Sequence, residues 1–244
     1  MTPIYVLTLR QLAGRSRLLI LLGLSVVPLV LGAAAAAGSE KPSAPHLDNA
    51  LVDGLLASAV LPIVALAVAT AAFGNEVEDK TLANLALTPL ARSRIVVAKF
   101  TATMTVATPL LVAGAVGGVL IAFDGAGIGG AGKAATAVAI ALVVGTAMYS
   151  AVFLWAGLVT SHPLAYGLLY AFVWEGLFAT FVDGIKYLSI RQYTLGLVKA
   201  LDASRFAGSD QNVIGAAQAV VGACVVCLGF VALAVRRLRR MDVP

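Results

Sequence analysis

The chain has 244 residues, of which 60% are hydrophobic and only 12% are charged. Soluble domains carry about 25% charged residues, so this composition excludes a water-soluble globular protein and predicts one that places its apolar surface in lipid. The net charge of +5 does not indicate nucleic-acid binding, because membrane proteins collect Lys and Arg on their cytoplasmic side.

Hydropathy predicts an all-α membrane protein with a single transmembrane domain over residues 1–244. A membrane span needs about 20 apolar residues, and six stretches of roughly this length follow one another. They lie at 18–37, 51–73, 95–123, 134–160, 163–183 and 213–235. The longest gap between them, about 30 residues, is shorter than a chain that usually folds alone, so no separate soluble domain fits.

Charge distribution predicts the orientation of these spans. With the N-terminus inside, eleven of the 17 Lys and Arg residues fall on the inner side and six on the outer side. Because the positively charged loops of such proteins stay in the cytoplasm, we expect both termini to be cytoplasmic in a plasma (inner) membrane. The first span, which starts only at Leu18, is longer and later than a typical secretory signal.

Two helical segments are expected outside the six spans. Thr2-Pro3 is typical of a helix start, and Ile4, Leu7 and Leu12 lie near one another on a helix. This pattern predicts a helix in the inner membrane interface; a frayed basic tail is the alternative. Residues 184–212 contain IKYLSIRQYTLGLVKAL, which predicts one or two amphipathic helices at the outer surface before the last span.

Glu175 lies in the middle of the fifth predicted span, in AFVWEGLFATF. A carboxylate at that depth costs about 2.5–3.5 kcal/mol on insertion scales, so we expect it to face protein or water. Two interpretations stay open: a role in transport or subunit assembly, and a structural hydrogen bond between helices.

Gly114-x-x-x-Gly118 in the third predicted span permits close approach of two helices. The motif is equally compatible with packing inside one chain and with packing between two copies.

No catalytic residue, cofactor site or metal site is predicted. The two histidines, His46 and His162, fall in loops on opposite sides of the membrane, whereas a metal or base site needs several converging groups. The stretch 127–134 reads GIGGAGKA, one residue away from a phosphate-binding loop, with Ala134 in place of the hydroxyl that holds magnesium. We interpret it as a flexible outer turn.

The most informative segment joins spans two and three and reads NEVEDKTLANLALTPLARSRIVVAKF over residues 75–100. Asn75 followed by Glu78 resembles a capping box, and the acidic residues Glu76 and Asp79 suit the positive end of a helix dipole. The pattern therefore predicts a short cytoplasmic helix that begins at Asn75.

The middle of this segment carries an apolar face. Leu82, Leu85 and Ala86 share one side of a helix, and Pro89 prevents its continuation. Arg92 then meets the inner headgroups. Such a projecting leucine face fits the groove of a partner protein; a solvated loop resting on the membrane is the alternative.

At these residues the chain resembles the membrane subunits of type-2 ATP-binding-cassette exporters. Their inner loop typically reads E-x-E-x-G-T-L-E-x-L-L-x-x-P-x-x-R-x-x-I-x-x-x-K, in which Lys80 here replaces the usual glycine. Trp174-Glu175-Gly176 is also similar to members of this group. The residues that match the loop pattern are Glu76, Glu78, Thr81, Leu82, Leu85, Pro89, Arg92, Ile95 and Lys99.

The resemblance implies a permease subunit of an ATP-driven exporter rather than an enzyme. Two copies, or this chain and a homologue, would form the pathway in the lipid bilayer. Two separate ATPase subunits would bind ATP and magnesium and couple to the spans through residues 75–89. No nucleic-acid partner is expected. The alternative is a secondary transporter or channel that needs no partner; such proteins often have inverted repeats, and we find none in this sequence.

Overall fold

The computed structural model describes residues 2–39, 41–78, 91–160, 162–178, 187–206 and 213–240, with the backbone alone described at 2–3, 15–17, 75–78 and 176–178. Every regular element in these ranges is helical. In chain order they are α1 (Thr2–Leu12), α2 (Arg15–Ala37), α3 (Ala44–Leu47), the π-helical segment π1 (Asp48–Val60), α4 (Leu61–Glu78), α5 (Arg92–Gly125), α6 (Ala131–Val159), α7 (Pro163–Leu169), the π-helical segment π2 (Tyr170–Phe178), α8 (Ile190–Leu201) and α9 (Ala216–Arg240).

Five helical stretches in the described ranges are long and apolar enough to cross a membrane. They are Leu18–Ala37, Ala44–Gly74, Arg92–Gly125, Ala131–Val159 and Ala216–Arg240. Each overlaps one of the six predicted spans, and the all-helical class is confirmed. The remaining span, predicted at 163–183, coincides with α7 and π2 as far as Phe178, and its crossing stays a prediction.

The helix boundaries differ from the predictions around the second span. The helix begins at Ala44 rather than near residue 51, because Pro45 stands in the first turn, where its missing N–H group costs nothing. Helix α4 then runs through Glu78. The expected helix start at Asn75 is therefore wrong: neither proline nor a left-handed glycine interrupts α4 there, so the helix continues.

Helix α6 forms the centre of the bundle, where it packs against α4, α5, α8 and α9. Its sequence is rich in alanine and glycine, and such small side chains let neighbouring helices approach closely. Tyr149 is the largest fully buried side chain of the chain's described part. Its ring stacks on Phe153, with 5.7 Å between the centroids.

Helices α2 and α5 pack backbone against backbone through small residues. A Cβ atom added at Gly114 would collide with the backbone of Ser25, and one added at Gly118 would collide with the Pro28 carbonyl group. A Cβ atom added at Gly32 would in turn collide with Gly118. The Gly114-x-x-x-Gly118 motif is thus used inside the chain, which decides between the two interpretations for these glycines.

Helix α1 lies where the N-terminal helix was predicted and packs against α5, and its position in the membrane interface stays a prediction. Its buried stripe is Ile4, Thr8 and Leu12, spaced by four residues as a helix face requires, and Leu7 is exposed instead. The Tyr5 hydroxyl donates a hydrogen bond to Thr105 Oγ1 at 3.0 Å. This contact ties the N-terminal helix to the third span.

Helix α8 lies within the segment for which one or two helices were predicted, and its position at the outer surface stays a prediction. It is strongly amphipathic and buries one face against α6 and α9. Ser189 caps it, with the Gln192 N–H donating to Ser189 Oγ at 3.4 Å. Helix α8 is therefore an integral layer of the bundle.

Candidate functional site

The residues predicted to couple to a partner lie around the gap between α4 and α5. The structure places the backbone of the two glutamates in the last turn of α4 and Arg92 at the start of α5. Four further members of the set fall outside the described residues. The whole set is Glu76 and Glu78 on α4, then Thr81, Leu82, Leu85 and Pro89 beyond it, and Arg92 on α5.

Arg92 ties α5 to the last helix. Its Nη1 donates a hydrogen bond to the Leu238 carbonyl oxygen at 2.6 Å. Leu238 lies in the final turn of α9, where the carbonyl groups have no partner within the helix and carry partial negative charge. A guanidinium group there satisfies an orphan acceptor and complements the helix dipole.

Lys99 ties α5 to α4. Its side chain is fully buried, and its Nζ donates a hydrogen bond to the Ala72 carbonyl oxygen. The ammonium nitrogen also lies 4.6 Å from the centroid of the Phe73 ring, an attractive cation–π geometry. Lys99 and Arg92 therefore link the start of α5 to two other spans.

An apolar cavity opens beside the same end of the bundle, between α2, α4 and α7. Leu21 of α2, Val68 and Gly74 of α4, and His162-Pro163 line it, among others. Its walls therefore come from the first, second and fifth predicted spans, and the polar groups among them are few.

Glu175 is 2% exposed and lies in the interior of the chain. Its Oε2 accepts a hydrogen bond from the Tyr149 hydroxyl of α6. Its Oε1 accepts one from the Tyr170 hydroxyl at 3.2 Å and one from the Ile190 N–H at 2.8 Å. One carboxylate thus joins π2, α6 and the first residue of α8.

The position of Glu175 explains why a carboxylate is tolerated there. The first N–H groups of a helix have no partner within the helix and form its positive end. Glu175 stands opposite this end of α8, with the Arg191 N–H also directed at Oε1 from 3.4 Å. The side chain therefore acts as a cap supplied from another helix, and these contacts fit the structural interpretation. A role in transport stays a prediction.

Comparison with family models identifies the family of the chain. A family model described as ABC-2 family transporter protein matches residues 14–180, which is more than half of the sequence. The chain belongs to this family. Comparison with curated proteins finds no match.

Family membership makes the chain an ABC-2 permease subunit, a multi-pass membrane component of a transporter. Such subunits are usually not catalytic themselves and in general work with ATPase partners. The match includes the predicted coupling residues and Glu175, whereas α8 and α9 lie beyond it.

The permease holds the start of α8 with an ion pair that the sequence analysis missed. Arg191 Nε donates to Asp53 Oδ1 at 2.6 Å, and its Nη2 donates to Asp53 Oδ2 at 2.7 Å. The side chains are 16% and 6% exposed. This bidentate pair connects α8 to π1, next to the Glu175 contacts.

A second group of charges holds the other end of α8. Arg205 Nε lies 3.3 Å from Asp202 Oδ2, and its Nη1 lies 3.6 Å from Asp48 Oδ1. Lys133 Nζ, at the start of α6, lies 3.5 Å from Asp202 Oδ1. The Arg205 guanidinium also stacks over the Phe123 ring at 4.7 Å. We call Asp48, Lys133, Asp202 and Arg205 the α8-end charge group.

A backbone hydrogen bond and an unusual backbone conformation lie beside the α8-end charge group. The Phe206 N–H donates to Asp48 Oδ2 at 3.0 Å, and Phe206 has a φ of 57°, which is uncommon for a bulky residue. Burial disfavours the Asp202 carboxylate, but hydrogen bonds from Ser204 and the charges of Arg205 and Lys133 outweigh it. The pKa of Asp202 therefore lies below its ordinary value.

The buried contacts of Asp53 and Lys99 were not predicted, although both residues carry a signal in the sequence. Asp53 lies inside the predicted span 51–73, and Lys99 inside the span 95–123. The rule that an ionisable residue within a span has a partner was applied to Glu175 and applies equally to these two. Their partners, Arg191 and the Ala72 carbonyl, are set by tertiary packing, and no local pattern indicates them.

Proposed function

We propose that this chain is the permease subunit of an ATP-driven exporter and couples to two separate ATPase subunits through residues 75–89. Two copies, or this chain and a homologue, form the translocation pathway in the plasma membrane, with both termini in the cytoplasm. ATP and magnesium bind the ATPase subunits.

The observation that carries this proposal is a pair of side-chain hydrogen bonds made by α5 next to residues 75–89, which we call the coupling segment. The segment leaves from α4 and returns at α5, and Lys99 joins α5 to the Ala72 carbonyl of α4. Arg92 joins the same end of α5 to Leu238 of α9. A partner that displaces the segment would therefore move three spans together, as nucleotide-driven transport requires.

The apolar cavity between α2, α4 and α7 supports the proposed pathway. It opens at the side of the bundle nearest the coupling segment and is lined largely by hydrophobic side chains. Ligand sites are concave and mostly apolar, with few polar groups. A second permease copy facing this side would enclose the cavity, and movement of α4 would change its width.

The test is whether a charge on the leucine face releases the ATPase. We expect Leu82→Asp or Leu85→Asp to leave membrane insertion intact, because both residues are predicted to lie outside the bilayer. The variants should lose copurification of the ATPase, since an unpaired charge in a buried groove costs several kcal/mol. The measurement is pull-down of the ATPase from solubilised membranes.

Asn84→Asp is the matched control, because it adds the same charge on the side of the predicted helix opposite to Leu82 and Leu85. It should retain the ATPase at the wild-type level. Full retention by both leucine variants would refute the coupling role. Transport by the purified chain in vesicles without any ATPase would favour the secondary transporter instead.

A further inference from the structure

The last two turns of α9 carry a row of arginines above an apolar strip. Leu233, Arg236, Arg237 and Arg240 are spaced by three, four and seven residues from the first, so they share one side of the helix. Together with Trp155 and Val159 of α6 they line one groove. We call it the α6–α9 groove.

The groove is charged at one end and apolar at the other. Within the described ranges, no carboxylate lies within 4.0 Å of Arg236, Arg237 or Arg240. Val159 and Leu233 are both about two-fifths exposed, at 41% and 42%. In water such a groove would expose three cations and a hydrophobic surface. An amphiphile with a negatively charged headgroup would pair with the arginines and cover the hydrophobic surface.

Trp155 lies at the apolar end of the groove. Its ring packs edge-on against Phe230, with 5.5 Å between centroids, and Phe230 comes six residues before Arg236 on α9. Tryptophan is enriched where a membrane protein crosses the level of the lipid headgroups. The arginines, which lie beyond Trp155 toward the end of α9, then reach the headgroups, and Val159 and Leu233 lie between the indole and the arginines.

From these observations we propose that the α6–α9 groove binds an anionic phospholipid, with its phosphate on Arg236, Arg237 and Arg240 and an acyl chain along Val159 and Leu233. Basic pockets between transmembrane helices bind anionic headgroups in this way.

The positive-inside rule by itself explains arginines at this end of the helix. It does not explain why three of them share one groove with a tryptophan. Arg239 belongs to the same basic cluster but does not line the groove. Arg239 therefore serves as a control that distinguishes a lipid site in the groove from the general preference for positive charge at this end of the helix.

The experiment reports on Trp155 directly. The chain has two tryptophans, so Trp174→Phe leaves Trp155 as the single fluorophore. The protein is reconstituted in phosphatidylcholine vesicles that contain a small fraction of brominated phosphatidylglycerol or, separately, the same fraction of brominated phosphatidylcholine. We expect brominated phosphatidylglycerol to quench Trp155 more strongly, because its headgroup selects it for the groove.

Matched single substitutions then locate the site. Arg237→Ala should lower the apparent affinity for phosphatidylglycerol about fivefold, the effect of one arginine near a membrane surface, whereas Arg239→Ala should leave it unchanged. Native mass spectrometry of the detergent-solubilised protein provides a second count of bound phosphatidylglycerol for each variant.

Equal quenching by the two brominated lipids would overturn the proposal, and so would equal losses in Arg237→Ala and Arg239→Ala. Absence of quenching by either lipid would mean that a protein surface covers the groove, either a second copy or another subunit, and would also overturn it. None of these outcomes depends on the ATPase, so they are separate from failure of the proposed coupling role.

Discussion

The bundle holds α2 and α8 by opposite means. Helix α2 meets α5 through Ser25, Pro28 and Gly32, and its backbone lies against Gly114 and Gly118. Helix α8 is held by charged and hydrogen-bonded side chains at both ends. Glu175 and the Asp53–Arg191 pair lie at its start, and the α8-end charge group lies at its end.

The difference follows from what each helix is made of. Lipid is as apolar as leucine, so helices in a membrane associate through close packing and through polar bonds. Helix α2 has few polar side chains in its apolar stretch and relies on close backbone approach. Helix α8 is short and amphipathic, so polar contacts at its ends fix its position. The first contact depends on the absence of side-chain atoms, and the second on the presence of particular ones.

The largest effect is expected from breaking the ion pair at the start of α8. Arg191→Met leaves the Asp53 carboxylate buried without its bidentate partner, and removing one member of a buried pair costs about 3–5 kcal/mol. The measurement is the free energy of unfolding of the detergent-solubilised protein, obtained from a denaturant titration.

The double variant Asp53→Leu/Arg191→Met provides the control for that substitution. Because it removes both charges, we expect it to be more stable than Arg191→Met alone. If the single and double variants are equally destabilised, the loss reflects packing and not the unpaired charge.

A smaller effect is expected at the α2–α5 contact. In Gly118→Ala the new methyl group meets the Pro28 carbonyl oxygen, a backbone atom that cannot turn aside. Overpacking of this kind costs about 1–3 kcal/mol. Thermal unfolding of the purified chain in detergent measures the loss.

Gly23→Ala on α2 is the matched control, since nothing lies within 4 Å of the added Cβ atom. It should be neutral or stabilising by about 0.5–1 kcal/mol, because alanine favours a helix over glycine. Equal stability of the two variants would show that Gly118 of α5 is not in close contact with the backbone of α2.

The smallest change in stability is expected for Glu175→Gln. The amide oxygen still accepts from the Ile190 N–H, and the amide nitrogen can donate to the Tyr149 hydroxyl once that group turns. We expect a loss below about 1 kcal/mol together with lower transport or transport-stimulated ATP hydrolysis, measured in vesicles with the ATPase present.

Glu175→Leu sharpens this test, because it removes the side-chain acceptor of the Ile190 and Arg191 N–H groups at the start of α8. A buried N–H left without a partner costs about 1–3 kcal/mol. If Glu175→Leu destabilises the chain while Glu175→Gln transports normally, Glu175 is a structural cap and the predicted transport role is wrong.

Hydropathy predicted the long helices well, because span length and apolar content are local properties. The first predicted span, 18–37, coincides with the stretch Leu18–Ala37, and the third, 95–123, lies inside Arg92–Gly125. Helix ends were less accurate where no residue breaks the helix, as at Asn75, since α4 runs on through Glu78. The coupling segment beyond Glu78 stays a prediction.

The polar contacts could be predicted only in part. Glu175 stands out because it is a single carboxylate in an apolar run, and its need for partners follows from that. Its actual partners, the Ile190 N–H and Tyr149, come from residues 15 and 26 positions away. The Asp53–Arg191 pair spans 138 positions. Such pairs exist only once α6 and π1 are assembled, so one sequence does not contain them as a pattern.

The buried ammonium group of Lys99 has a consequence for biosynthesis. A translocon that released α5 alone would present this lysine to lipid near the start of the helix. A charge there costs less than at a central position, where the cost is about 2.5–3.5 kcal/mol, but it is still unfavourable. The Ala72 carbonyl and the Phe73 ring, which cover it in the finished protein, belong to the preceding helix. Helices α4 and α5 should therefore leave the translocon together, as a preassembled hairpin.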